Sequence, residues 1–121
     1  MLVIDGNNNI TLTQGNSAEI DITPLDTDGK PIELQEGDKV IFKVESCRKV
    51  VIERVLTAEN WDDEEKALKL ILTPEDTVSL PCMAYTYDCL YIFSDGSAYT
   101  FIDAAQFKIV KAIAKVGDAG E

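Results

Sequence analysis

An all-β fold, a two-sheet antiparallel sandwich of about seven to nine strands, is what this sequence predicts, on three observations. Apolar and polar residues alternate at period two in short runs. Gly, Pro, Asn and Asp punctuate those runs, and no apolar stripe at the 3.6-residue period extends far enough for a long helix. The shortage of helices excludes a parallel α/β sheet, in which each crossover needs one.

The alternation is cleanest at Ala18, Ile20 and Ile22, which interleave with Glu19, Asp21 and Thr23. A helix would scatter those apolar side chains around its axis, whereas a strand places them on one face. Residues 9–13 form an earlier strand with Ile10 and Leu12 inward, and Val40, Phe42 and Val44 repeat the pattern. Residues 50–56 are rich in β-branched side chains but alternate less regularly. Leu68, Leu70 and Leu72 make a buried row, and Tyr85, Tyr87, Cys89, Tyr91 and Phe93 share one face of a long strand. Ser94-Asp95-Gly96 is a hairpin turn whose return strand covers residues 98–102. Phe107, Ile109, Lys111 and Ile113 then mark a separate terminal strand.

Asp28-Gly29 and Glu36-Gly37-Asp38 supply the turns before the third strand. Thr73-Pro74-Glu75-Asp76 reads as a helix start, with Thr73 as N-cap, Pro74 at the first helical position and Asp76 placed as the acid of a capping box. Pro81 stops it, so one or two helical turns near residues 74–79 are expected to cross from one sheet to the other.

The 121 residues and 13.3 kDa suit one domain. It is expected to span residues 1–116, with the polar residues 117–121 as a flexible tail. With 45% hydrophobic and 27% charged residues, the chain has the apolar material to fold unaided. A net charge of −11 repels polyanions, so neither nucleic acid nor a membrane is an expected partner. Cys47, Cys82 and Cys89 are odd in number and lack Cys-x-x-Cys spacing, which fits reduced thiols and synthesis in the cytoplasm. The opening apolar run breaks at Asp5, too early for an export signal, and charged or turn residues interrupt every later run before it could span a membrane.

The chain contains no histidine, which removes Ser-His-Asp and Cys-His arrangements and the usual zinc ligands together. No catalytic, metal or cofactor-binding residue is therefore expected, and the protein is read as a non-enzyme. Asp26-Thr27-Asp28-Gly29 is a turn, because a calcium loop would need Glu where Gln35 stands. Trp61, the one tryptophan, adjoins Asp62-Asp63-Glu64-Glu65 in an expected loop. It is the candidate partner contact, against the plainer reading that it caps an open end of the core. Tyr85, Tyr87 and Tyr91 could form a ligand platform, but their alternation with Cys89 and Phe93 favours burial. A carbohydrate-binding or adhesive sandwich using Trp61 and these tyrosines is the alternative function.

Tyr87-Asp88-Cys89 gives the sandwich an immunoglobulin-like late strand, yet the strand of residues 18–23 has no cysteine to bridge to Cys89. A true immunoglobulin domain is therefore not expected, even with a similar sandwich. Along residues 9–111 a series of motifs runs in order through Ile10-Thr11-Leu12-Thr13-Gln14-Gly15-Asn16, Ile20-Asp21-Ile22, Asp28-Gly29, Leu34, and Glu36-Gly37-Asp38 leading into Val40-Ile41-Phe42. It continues through Leu70-Ile71-Leu72-Thr73-Pro74-Glu75-Asp76-Thr77, Tyr85-Thr86-Tyr87-Asp88, Asp95-Gly96 and Phe107-Lys108-Ile109. That order resembles phage and prophage structural domains similar to the N-terminal domain of baseplate upper proteins from phages of Gram-positive bacteria. The resemblance implies a virion protein of the tail or baseplate that binds other phage structural proteins, or further copies of itself, without a catalytic step. The chain departs from that family in lacking stalk and receptor-binding parts.

Overall fold

The period-two rows close on one another as two facing sheets in a computed structural model that describes residues 1–112. Ile113 and the expected tail at residues 117–121 lie outside the described residues. Among those described, the strands are β1 (Leu2–Ile4), β2 (Ile10–Thr13), β3 (Ala18–Ile22), β4 (Lys39–Ser46), β5 (Lys49–Thr57), β6 (Trp61–Asp62), β7 (Ala67–Leu72), β8 (Ala84–Ile92) and β9 (Ala98–Val110). A large sheet runs β1-β2-β9-β8-β4-β5 and a small one β3-β7-β6. The β-sandwich predicted from the sequence is thus what the chain forms.

Its ladders are antiparallel with one exception, since β2 pairs parallel to β9 through Ile10 opposite Phe107 and Leu12 opposite Ile109. That corrects an all-antiparallel reading. Side-chain alternation reports which face is buried and carries no information about strand direction. The parallel partner of β2, β9, is the last described strand in chain order, so the whole intervening chain serves as the crossover.

A second correction concerns residues 98–113, read as a return strand and a separate terminal strand. They belong to a single strand up to Val110, β9, paired with β8 along its length. The register slips between Leu90 and Cys89 and again between Cys89 and Tyr87. Two bulges therefore scramble the alternation around Ile102 to Ala104 before Ala105, Phe107 and Ile109 resume it. Ala104 takes a left-handed φ of 52°, and its N–H donates to Asp88 Oδ1 at 2.5 Å. The short edge strands β1 and β6 are further additions that the pattern does not signal.

Facing rows fill the space between the sheets. Leu68, Leu70 and Leu72 of β7 are fully buried opposite Val40, Phe42 and Val44 of β4 and the tyrosine row of β8. Phe42, Tyr87 and Phe107 pack with ring centroids 5.2–6.4 Å apart. Each core tyrosine also uses its hydroxyl: Tyr85 donates to Pro81 O at 2.8 Å and Tyr87 to Asn8 O at 2.5 Å. These bonds let the stripe be buried without stranding a polar group.

The short helix α1 (Pro74–Thr77) joins the small sheet to the large one, as expected. Asp76 Oδ2 accepts the Thr73 N–H at 2.7 Å, which is the acid's half of a capping box. The same carboxylate receives Arg54 Nη2 of β5 at 2.6 Å, tying α1 to an edge of the large sheet. Fully buried Thr77 accepts the Gly15 N–H at 2.8 Å, which fixes the β2–β3 turn against the helix.

Across the sandwich, the Glu36-Gly37-Asp38 turn meets the β8–β9 hairpin. Gly37 has φ 92°, and a Cβ there would come within 3.0 Å of Ser94 Cβ, so glycine is required on two counts. Buried Asp38 accepts from Tyr91 Oη at 2.6 Å, Ser94 N at 2.8 Å and Gln35 N at 3.1 Å. Burial alone would raise the Asp38 pKa, but the Tyr91 hydroxyl and the Gln35 and Ser94 N–H groups outweigh it and hold the carboxyl below its ordinary value. Tyr91 is pushed upward, first by burial and then by its bond to Asp38.

Because the folded carboxyl is more acidic than the unfolded one, its stabilisation is complete above the unfolded value, about pH 4, and is lost as pH falls through the folded value. Asp38→Asn is expected to shallow the acid limb of a stability profile measured by urea unfolding. At neutral pH the same variant should cost about 1–3 kcal/mol, because the amide cannot accept all three donors. An unchanged acid limb would show that Asp38 does not carry it.

Candidate interaction surface

A sandwich buries one face of each sheet, and the residues that alternate out of the core decide what the other face offers. On β4 these include Ile41 and Lys43, and on β8 they include Asp88 and Leu90. Cross-strand register sets Val55 of β5 opposite Ile41, Ile41 opposite Leu90, and Leu90 opposite Thr100 of β9. The outer face of the large sheet therefore carries an apolar row across three strands, ending at a threonine. Val55 is 52% exposed, while Ile41 and Leu90 are half-buried.

Charge flanks this row on one side. Lys43 lies opposite both Glu53 and Asp88, with its Nζ 3.8 Å from Glu53 Oε1 across an exposed surface. A trough of about 230 Å³ opens here, lined by Ile41, Lys43, Glu45, Thr86, Asp88, Leu90 and Thr100 together with Tyr87. It lies beside the double bulge of β8 and β9, where Asp88 anchors the left-handed Ala104. Bulges increase local twist and re-aim side chains, and here they sit beside the trough.

At one end of the row the large sheet stops at β5, nine residues long and rich in Val and Ile. An edge strand leaves alternate backbone N–H and C=O groups without a ladder partner. Val50 is 43% exposed on the same strand. The hairpin joining β4 to β5 turns at Cys47 and Arg48, both with positive φ, as the twist of a two-residue hairpin demands.

The residues singled out from sequence are distributed elsewhere. Trp61 lies on β6 rather than in a loop, paired opposite Leu68, so its indole is directed toward the core side of the small sheet. It is half-buried against the core, and among the described residues its enclosed Nε1 meets no partner in hydrogen-bond geometry. Asp63 is held below its ordinary pKa first by Lys66, 3.0 Å away, with the indole N–H exerting only a minor influence. Tyr85, Tyr87 and Tyr91 are core residues and form no exposed platform.

Cys89 is fully buried, and that burial pushes its thiol up to about 12. Asp26 Oδ1 accepts the N–H groups of Asp28 and Lys30 at 2.8 and 2.9 Å, so Asp26-Thr27-Asp28-Gly29 is organised as a turn. Among the described residues no three His, Cys, Asp or Glu side chains converge as metal ligands, and no helix is long and apolar enough to cross a membrane. The outer apolar row was not singled out from sequence, although Ile41, Val55 and Leu90 break the polar phase of their strands and could have marked it. No protein-family model and no curated protein matches the chain.

Trp61→Ala is expected to cost about 2–4 kcal/mol in urea unfolding, as a packed aromatic does when removed. A variant as stable as the parent would return Trp61 to the surface role.

Proposed function

We propose that this chain is a non-catalytic assembly module, of the phage or prophage tail or baseplate kind that its sequence resembles. It acts by protein–protein contact through the outer face of the large sheet and the adjoining β5 edge. The observation that carries this reading is the outward-facing cross-strand row Val55, Ile41 and Leu90, beside a strand that is the sheet's edge among the described residues. Single exposed apolar residues are ordinary on any surface, but a contiguous row bordered by charge has the anatomy of a contact patch. The free edge supplies a second means of attachment, because a partner segment can add to it as a further strand.

Partners in this reading are other virion structural proteins or further copies of the chain, and its working location is the virion. No cofactor takes part. The inward aromatic residues Phe42, Tyr87 and Phe107 pack on one another in the core, which fits such a role.

The test combines the chain with tail and baseplate proteins encoded beside it and measures complexes by light scattering across a concentration series. Val55→Lys and Leu90→Lys, both on the outer face, should weaken a complex at least tenfold while circular dichroism and urea midpoints stay near those of the parent. A monomer that binds none of these proteins, or a complex indifferent to both substitutions, would overturn the proposal.

A further inference from the structure

The sequence contains three Asp-Gly steps, Asp5-Gly6, Asp28-Gly29 and Asp95-Gly96, all exposed. Asp-Gly is the dipeptide most open to spontaneous isomerisation, because glycine has no side chain to shield its nitrogen. The glycine nitrogen attacks the aspartate Cγ, forming an N–C bond, while the amide proton and the carboxyl hydroxyl depart as water. Water then opens the resulting succinimide at either carbonyl. One route restores aspartate and the other yields an isoaspartyl linkage running through Cβ, with no net change of mass and no redox partner.

The three sites differ in how their carboxyl groups are held. Asp5 Oδ1 accepts from Asn7 N at 2.8 Å and Asn9 N at 3.0 Å, and Oδ2 accepts from Asn9 Nδ2 at 3.2 Å. Asp95 Oδ1 accepts from Ser97 N at 2.8 Å and from Ser97 Oγ at 2.7 Å. In the Asp28 turn the corresponding bonds go to the neighbouring carboxylate, Asp26. Among the described residues, none donates to the Asp28 carboxyl.

From this contrast we infer that Asp28 is the site at which the folded chain isomerises to isoaspartate. Two physical reasons separate it from the others. Attack requires the side chain to rotate Cγ toward the following nitrogen, and the bonds at Asp5 and Asp95 oppose that rotation. It also proceeds through the neutral carboxyl, and the same bonds favour the ionised form at Asp5 and Asp95, lowering both pKa values. Hydrogen bonding of the nucleophile does not discriminate between Asp28 and Asp95. Gly29 N donates to Asp26 O and Gly96 N to Phe93 O, each at 2.9 Å.

Isomerisation would add a main-chain methylene to the turn closed by the Leu25–Pro31 bridge. Leu25 O is also the acceptor of the Tyr99 hydroxyl, so the change would be felt at Tyr99, whose ring stacks on the core Tyr91.

The test ages the intact chain at neutral pH and mild heat, then reads isoaspartate site by site. Methyl transfer by a protein isoaspartyl methyltransferase gives the total, and peptide mapping with electron-based fragmentation gives the position. Isoaspartate at residue 28 should exceed that at residues 5 and 95 several-fold, Asp28→Glu should abolish most of it, and in urea the three sites should converge. Ser97→Ala should raise the rate at Asp95. Faster or equal reaction at Asp5 or Asp95 in the folded chain, the same ranking in urea, or no response to Ser97→Ala would each overturn the assignment.

Discussion

The carboxylate of Asp38 is the constraint around which one end of the sandwich is arranged. Three donors converge on it, from the turn that begins β4, from the β8 core tyrosine Tyr91 and from the start of the β8–β9 hairpin. An ion in a buried position is tolerated only when donors replace its water, so the sequence must deliver all three together. Gly37 makes that approach sterically open, and Tyr91 carries the constraint inward by packing against Phe93 with ring centroids 4.5 Å apart. The opposite end is pinned by different chemistry, with Thr77 and Asp76 of α1 holding the β2–β3 turn and the β5 edge. Between these anchors the apolar rows supply most of the driving force, and the anchors fix which rows face each other.

The rows themselves were legible because burial on one face writes itself at period two. Ala18, Ile20 and Ile22 show it plainly, and the helix start at Thr73-Pro74 is equally direct because capping chemistry is local. Strand direction and partner choice are not local. Nothing in Ile10 to Thr13 indicates that it lies parallel to a strand nearly the whole chain away, since both directions bury Ile10 and Leu12 alike. The continuity of β9 was hidden for a related reason. Two bulges disturb its alternation at Ile102 to Ala104, so an unbroken strand has the signature of two.

Side chains with ambiguous chemistry divided in the same way. The tyrosine stripe could be assigned to the core because Cys89 shares its face, and all four of Tyr85, Tyr87, Cys89 and Tyr91 are buried. Trp61 was harder to place, for its acidic neighbours Asp62 to Glu65 suggest exposure. Only pairing with Leu68 reveals that its own face is the inner one. The outer row is the reverse case. Ile41, Val55 and Leu90 belong to three separate segments, and their adjacency exists only once β4 pairs with both β5 and β8.

That adjacency sets an apolar row beside an edge strand, and the edge has features that oppose indiscriminate pairing. A long apolar edge is a hazard unless something blunts it, and β5 carries three devices. A register irregularity at Val44/Glu45 breaks its ladder with β4, Lys49 and Glu53 place charge along it, and Arg54 is drawn toward Asp76. The net charge of −11 adds a repulsion between copies that weakens with salt. Together these disfavour casual self-association more than they disfavour a partner with complementary charge. The outer row therefore adjoins an edge that is guarded against open-ended aggregation.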